Sequence, residues 1–222
     1  MDGIIAKSIE RLKPMNLHLT RARQYSLLIA LTGLLTLFIT PCAFGQQSSL
    51  ELPKGKQTSL GLYLTAREAY QKWLADPENV RVLDVGTTEE YIFIGQAPMA
   101  RNVPLASQTY QWDSDKQHFA MKRNPEFVNQ VKEFAKPSET ILVTCRSGGR
   151  SAMAVNLLAK AGFTNVYNIT DGMEGDAVKE PGSVFQGQRL KNGWKNSGNP
   201  WTYELDPELM RFVTNEMEEQ PE

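Results

Sequence analysis

The amino-acid sequence predicts an α/β domain with a mainly parallel central sheet, and three observations predict it. Short, mostly apolar runs with a β-branched bias recur at Arg81-Val-Leu-Asp-Val85, Thr140-Ile-Leu-Val-Thr144 and Asn165-Val-Tyr-Asn-Ile169. Segments carrying helix signals lie between them. The runs lack the strict apolar–polar alternation of a half-exposed strand, as expected of strands buried on both faces. Parallel neighbours need a crossover, and helices that alternate with strands supply it.

The elements follow in chain order. The first two dozen residues carry Lys7, Arg11, Lys13, Arg21 and Arg23, and lead into an uncharged run from Tyr25 to Thr40. Small residues at Ala43 and Gly45 complete the pattern of a secretory signal peptide over residues 1–45. An uncleaved membrane anchor is the alternative, although Thr32, Gly33, Thr36, Thr40 and Pro41 dilute the run. Lipid attachment at Cys42 fits poorly beside Pro41. Either way the folded part is expected outside the cytoplasm, in a periplasm or an equivalent exported space, with membrane contact only if the segment stays uncleaved. Residues 46–60 are polar, with Pro53 and Gly55, and read as a linker. The folded domain is expected over residues 61–205.

Within it, Thr65 followed by Glu68 is a capping-box pattern that opens a helix through Ala75. The run 81–85 is the first buried strand, and Asn102-Val103-Pro104 marks a strand edge or loop. Asn124-Pro125 places a capping residue before a proline at the first helical position, predicting a helix to Ala135. After the strand 140–144, residues 151–161 read as a helix with Ala154, Val155, Leu157, Leu158 and Ala161 on one side and Gly162 as its stop. Strand 165–169 follows. Beyond Gly172 the pattern weakens, and an insertion or long loop is expected around residues 175–192. Trp194 and Trp201 read as packing residues, and residues 206–222 as an acidic tail.

Composition narrows the function. Hydrophobic residues make up 41% and charged residues 22%, which suits a folded soluble domain. A net charge of −1 leaves no basic field for nucleic acid. Cleavage of the leader would remove Cys42 and leave Cys145 without a disulfide partner. Cys145 sits where a strand ends and a helix begins, in Cys145-Arg146-Ser147-Gly148-Gly149-Arg150-Ser151. Ligand sites in α/β sheets form beyond such carboxyl ends. Paired glycines let the backbone curl so that several N–H groups converge, and the following helix turns its positive end to the same spot. Arg146 and Arg150 add cationic charge, so the loop favours a thiolate nucleophile and an anionic substrate together. A cap or an ion pair within the fold is the alternative for Arg150, and it does not exclude anion binding. Asp84 and Arg101 read as structural support of the loop, with Arg101 as a partner for Asp84.

The loop Cys145–Ser151 resembles the active-site loop of the rhodanese superfamily. Leu83-Asp84-Val85, Glu90-Tyr91, Gly95 and Ala100-Arg101-Asn102-Val103-Pro104 resemble that family's first signature. Gly162-Phe163, Val166-Tyr167, Asp171-Gly172-Met173 and Gly193–Pro200 resemble its later blocks. The resemblance implies a single rhodanese-like domain, with helices on both faces of the sheet. It implies a sulfurtransferase: Cys145 takes the outer sulfur of a small anionic donor such as thiosulfate and passes it to cyanide, a thiol or a protein acceptor. Arg146, Ser147, Gly148, Gly149, Arg150 and Ser151 would bind the substrate, with no metal and no cofactor. Four residues separate Cys145 from Arg150, where relatives acting on phosphate or arsenate have five, so phosphatase chemistry is disfavoured. Gly86 stands where relatives often carry arginine, and about twenty residues part Met173 from Trp194, so the rim of the loop departs from the family pattern. The competing reading is a non-catalytic binding module on the same scaffold, and a persulfide carrier serving one partner protein is a third.

Overall fold

The computed structural model describes residues 52–211. The leader, Cys42 and the acidic end of the tail lie outside the described residues.

Five parallel strands form the central sheet: β1 (Tyr63–Leu64), β2 (Val80–Asp84), β3 (Ala100–Asn102), β6 (Thr140–Thr144) and β7 (Val166–Ile169), in the order β1-β7-β6-β2-β3. A separate antiparallel hairpin pairs β4 (Ala106–Asp113) with β5 (His118–Arg123). The helices are α1 (Ala66–Ala75), α2 (Thr88–Ile94), α3 (Phe127–Lys132) and α4 (Gly149–Lys160).

Successive strand residues point to opposite faces, and both faces here are apolar. Leu83, Val85, Ile141, Val143 and Cys145 pack with Phe127 and Val131 of α3 and with Ala154, Val155 and Leu158 of α4. Val80, Val82, Leu142 and Ile169 pack on the other side with Ala66 and Ala69 of α1, Met173 and Trp194. Helices therefore cover the sheet on both faces, and the continuous apolar runs of β2 and β6 follow from that double burial.

Local signals set most boundaries. Thr65 caps α1 with both halves of the capping box in place. Gly162, at φ +92°, follows α4 and stops it in the left-handed conformation. α3 is shorter than its sequence signal: the Asn124 side chain accepts from the Glu126 amide and donates to the Pro104 carbonyl, which holds Asn124-Pro125-Glu126 as a turn and delays the helix to Phe127. Part of the expected linker belongs to the domain. Residues 54–56 form a 3₁₀ turn whose Lys56 carbonyl accepts from Asn168, and the Ser59 amide donates to Asn156 of α4.

Beyond β7 the chain leaves the core at Gly175 and returns at Gly193. Asn192 closes this excursion by bonding both the amide and the carboxylate of Asp176. Trp194 is fully buried, its indole N–H donating to the Pro200 carbonyl. Trp201 is more open and lies beneath the Lys195 ammonium, 4.1 Å from ring centre to Nζ. No helix among the described residues is long and apolar enough to cross a membrane.

Candidate active site

Cys145 directly follows β6, and its side chain forms the floor of the loop with only 2% of the residue exposed. Sγ accepts the Gly148 amide N–H at 3.2 Å and lies 3.5 Å from the Ser151 hydroxyl. Gly148 stands at the N-cap of the 12-residue α4 with φ +94°, a conformation that glycine adopts freely. The sulfur thus faces the positive end of a helix.

A second segment braces the loop from behind. After β7 the Met173 amide donates to the Cys145 carbonyl at 2.7 Å, and the Glu174 amide to the Arg146 carbonyl at 3.0 Å. Asn168 of β7 donates to the Gly148 carbonyl. Asp171 accepts the amides of Ala66 and Gly193, tying α1 and the returning chain to the same corner.

Both loop arginines are engaged by carboxylates. Arg150 makes a two-pronged pair with Glu90, at 2.5 and 2.7 Å, and Arg146 Nε donates to Glu174 at 2.6 Å. Their charge is therefore compensated within the fold, and the ion-pair reading of Arg150 holds. Glu90 also accepts the Thr87 amide as the third residue of the α2 capping box, so one carboxylate fixes both a helix start and the loop arginine. Burial pushes the Glu90 carboxyl upward, but its bonds to Arg150 outweigh this and hold it below its ordinary value. The Arg150 guanidinium, opposed by burial and favoured by Glu90, is held above its own.

Asp84 is buried at the end of β2, beside the loop, and its carboxylate accepts the Gly86 amide at 2.7 Å. Burial pushes its carboxyl up to about 7, against the pull of that amide; the Glu90 charge adds to the rise and Arg150 opposes it. A Cβ at Gly86 would lie 2.9 Å from Asp84 Oδ1 and 3.2 Å from Glu90 Oε2, so a larger residue there would have to displace these carboxylates. Arg101 is not the partner of Asp84. It stands opposite Leu83, not Asp84, and its guanidinium lies over the Phe134 ring and donates to the Glu208 carbonyl. Asn102 takes the expected place, donating to the carbonyls of Asp84 and Gly86.

Linkage gives Asp84 a testable consequence. The unfolded carboxyl titrates near about 4 and the folded one near 7, so the stability tied to its proton is complete below the first value and lost as pH rises through the second. In Asp84→Asn the side-chain oxygen still accepts the Gly86 amide, but no charge is buried. Variant and wild type should melt together near about pH 4, and the variant several degrees higher near about pH 8. Thermal melts at the two pH values check this, and a constant gap would refute it.

The loop opens into a cleft of about 610 Å³. Thr87, Glu89 and Glu90 border it on one side, and Arg146, Ser147 and Arg150 at its base. Gln108, Trp112, His118, Phe119 and Met121 of the hairpin form a wall, and Arg189 of the 175–193 excursion reaches the rim. The hairpin and Arg189 carried no functional signal in the sequence. Among the described residues no group of three His, Cys, Asp or Glu side chains is placed to hold a metal ion.

Comparison with known proteins adds to this geometry. The family model described as Rhodanese-like domain matches residues 66–177. Thiosulfate sulfurtransferase 16, chloroplastic, of Arabidopsis thaliana is 40% identical over 92 residues, covering 41% of this chain and 69% of that protein. Thiosulfate sulfurtransferase 18 of the same plant is 35% identical over 92 residues, covering 40% and 61%. The crystal structure of Rv0390 from M. tuberculosis superposes with a TM-score of 0.51 at 26% identity, covering 64% of this chain and 96% of that one.

Proposed function

Because the chain belongs to the rhodanese-like domain family, we propose that it is a sulfurtransferase with Cys145 as nucleophile. The thiolate attacks the outer sulfur of thiosulfate. The bond between the two donor sulfurs breaks, its electron pair leaves with sulfite, and a Cys145 persulfide remains. Cyanide or a thiolate then attacks the terminal sulfur, and the electron pair of the S–S bond returns to Cys145. No net proton transfer is needed when donor, acceptor and cysteine are all anions.

One observation carries this reading: Sγ receives an amide N–H at the start of a 12-residue helix, within a loop whose Arg146, Ser147 and Arg150 line an open cleft. An anion is stabilised there by preorganised dipoles, for the thiolate before transfer and for the persulfide after it. The Glu90–Arg150 and Glu174–Arg146 pairs support a positioning role for the two arginines, since each fixes the loop to a neighbouring segment. Ser147 lines the cleft beside the two arginines, while the Gly148 amide and the Ser151 hydroxyl lie against Sγ.

The basic stretch before the uncharged run Tyr25–Thr40 supports export of the chain. One sample tests both parts. Protein taken from the exported fraction and treated with thiosulfate should begin after the leader and gain the mass of one sulfur atom at Cys145; added cyanide should remove that mass and release thiocyanate. Neither persulfide nor thiocyanate with any sulfane donor would end the transferase reading, and an intact leader in that fraction would end the cleavage reading.

A further inference from the structure

We propose that a second cavity, at the far end of β2 from the cysteine loop, binds a small organic acid: one carboxylate held by Arg81 and Arg101, on a flat apolar body that packs against the rest of the lining. The assignment does not depend on the chemistry at Cys145.

The cavity exists because β3 is shorter than β2. Strand β6 pairs with β2 from Val80 onward, but β3 joins only at Val82, opposite Ala100. Val80 and Arg81 therefore border a gap at the edge of the sheet, closed by Trp73, Met99, Phe134 and Leu209. Its volume is about 360 Å³, within the range of small-molecule sites. None of its lining residues lines the cleft beside Arg146 and Arg150. Most of the lining is apolar or aromatic, as in sites where a few polar groups fix the orientation of an apolar ligand.

The polar groups are two guanidiniums with donors to spare. Arg101 stands opposite Leu83, and Arg81 precedes Leu83 by two residues, so both arginines leave the same face of the sheet. Arg101 is held in place, its guanidinium 5.0 Å from the centre of the Phe134 ring with one N–H donated to the Glu208 carbonyl, and it pairs with no carboxylate among the described residues. Arg81 meets the Glu139 carboxylate only at 3.6 Å, beyond hydrogen-bond reach, and its Nε is buried with no partner among the described residues. A buried donor without an acceptor is costly, and a carboxylate supplies acceptors in the plane that a guanidinium fork fits. Two guanidiniums against the one carboxylate of Glu139 leave a single positive charge in excess. A monoanion balances it, which favours a carboxylic acid over a phosphate ester.

The test titrates the full chain with naphthalene-2-carboxylate, followed by ligand-observed NMR, beside acetate, which lacks the apolar body, and 2-naphthalenemethanol, which lacks the charge. Wild type should bind the naphthoate saturably and each control at least about tenfold more weakly. Arg81→Gln and Arg101→Gln should each weaken naphthoate binding by about tenfold, the loss expected for one charge-assisted hydrogen bond. Leu209→Trp, which puts an indole into the cavity, should abolish it. Trp112→Ala, in the separate cleft, should leave it unchanged. Melting curves of each variant show that the fold is kept, and two independent arginine variants guard against the loss of either one. No saturable binding up to about 10 mM, or naphthalenemethanol bound as well as the naphthoate, would overturn the site. So would binding that Trp112→Ala weakens and the arginine changes spare, since the ligand would then lie in the cleft beside the cysteine loop.

Discussion

Cys145→Ser lowers thiocyanate formation from thiosulfate and cyanide by at least about 10³-fold, while the domain stays folded. Serine is nearly the same shape, and its oxygen can still accept the Gly148 amide that Sγ accepts at 3.2 Å. The electrostatics of the loop therefore survive the change. What is lost is a soft atom that attacks sulfur and holds it as a persulfide. Because Cys145 is buried in the core formed with Val143, Ala154 and Val155, the smaller oxygen costs only about 1 kcal/mol of stability. Turnover and melting temperature should accordingly separate. A serine variant that retains transfer would remove Cys145 from the reaction; one that loses turnover only in proportion to unfolding would make the residue a packing element.

The sequence predicted the placement of Cys145 at a helix start better than the charge balance of the loop, and the reason is distance along the chain. Cys145 to Ser151 is one contiguous turn between strand and helix, so residue order alone places the sulfur at a helix start. The acids that bind the two arginines stand 60 and 28 residues from them. No local pattern pairs such residues, so the sequence left an ion pair of Arg150 as an open alternative without a partner and gave no sign of one for Arg146. A sequence signal for Glu90 did exist, since Thr87 and Glu90 make a capping box, but α2 is a seven-residue helix without an apolar period.

The pairing of Arg101 with Asp84 fails for a different reason. Side chains alternate along a strand, so a slip of one residue reverses the face. The register sets Asn102 against Asp84 and turns Arg101 toward Phe134. The strands β2 and β6 were legible because burial on both faces leaves an unbroken apolar run. The hairpin was not. Its residues are largely exposed, and a register shift between Gln108 and Trp112 breaks the period of two by which a half-buried strand is recognised.

Gly172→Ala tests whether the brace behind the loop is as demanding as the loop itself. Gly172 has φ +66°, and a Cβ there would overlap the Cys145 carbonyl oxygen and lie 2.6 Å from the Ser147 amide nitrogen and 2.8 Å from the Arg146 carbonyl carbon. All three are backbone atoms, so no side chain can swing aside, and the loop itself must move. The left-handed conformation and the overpacking together should cost about 2–4 kcal/mol, lowering Tm by roughly 5–15 °C. Transfer should fall further than stability does, because the displaced atoms carry Sγ and its amide donor. Gly162→Ala is the control. Gly162 has φ +92°, but a Cβ added there would meet nothing within 4 Å, so this substitution measures the conformational cost alone, about 1–2 kcal/mol, with full activity per folded molecule. Equal effects of the two substitutions on turnover would show that contact between the post-β7 segment and the cysteine loop has no part in the reaction. A selective loss in Gly172→Ala would show that the reactive sulfur is held in place as much by the turn after β7 as by the strand that precedes it.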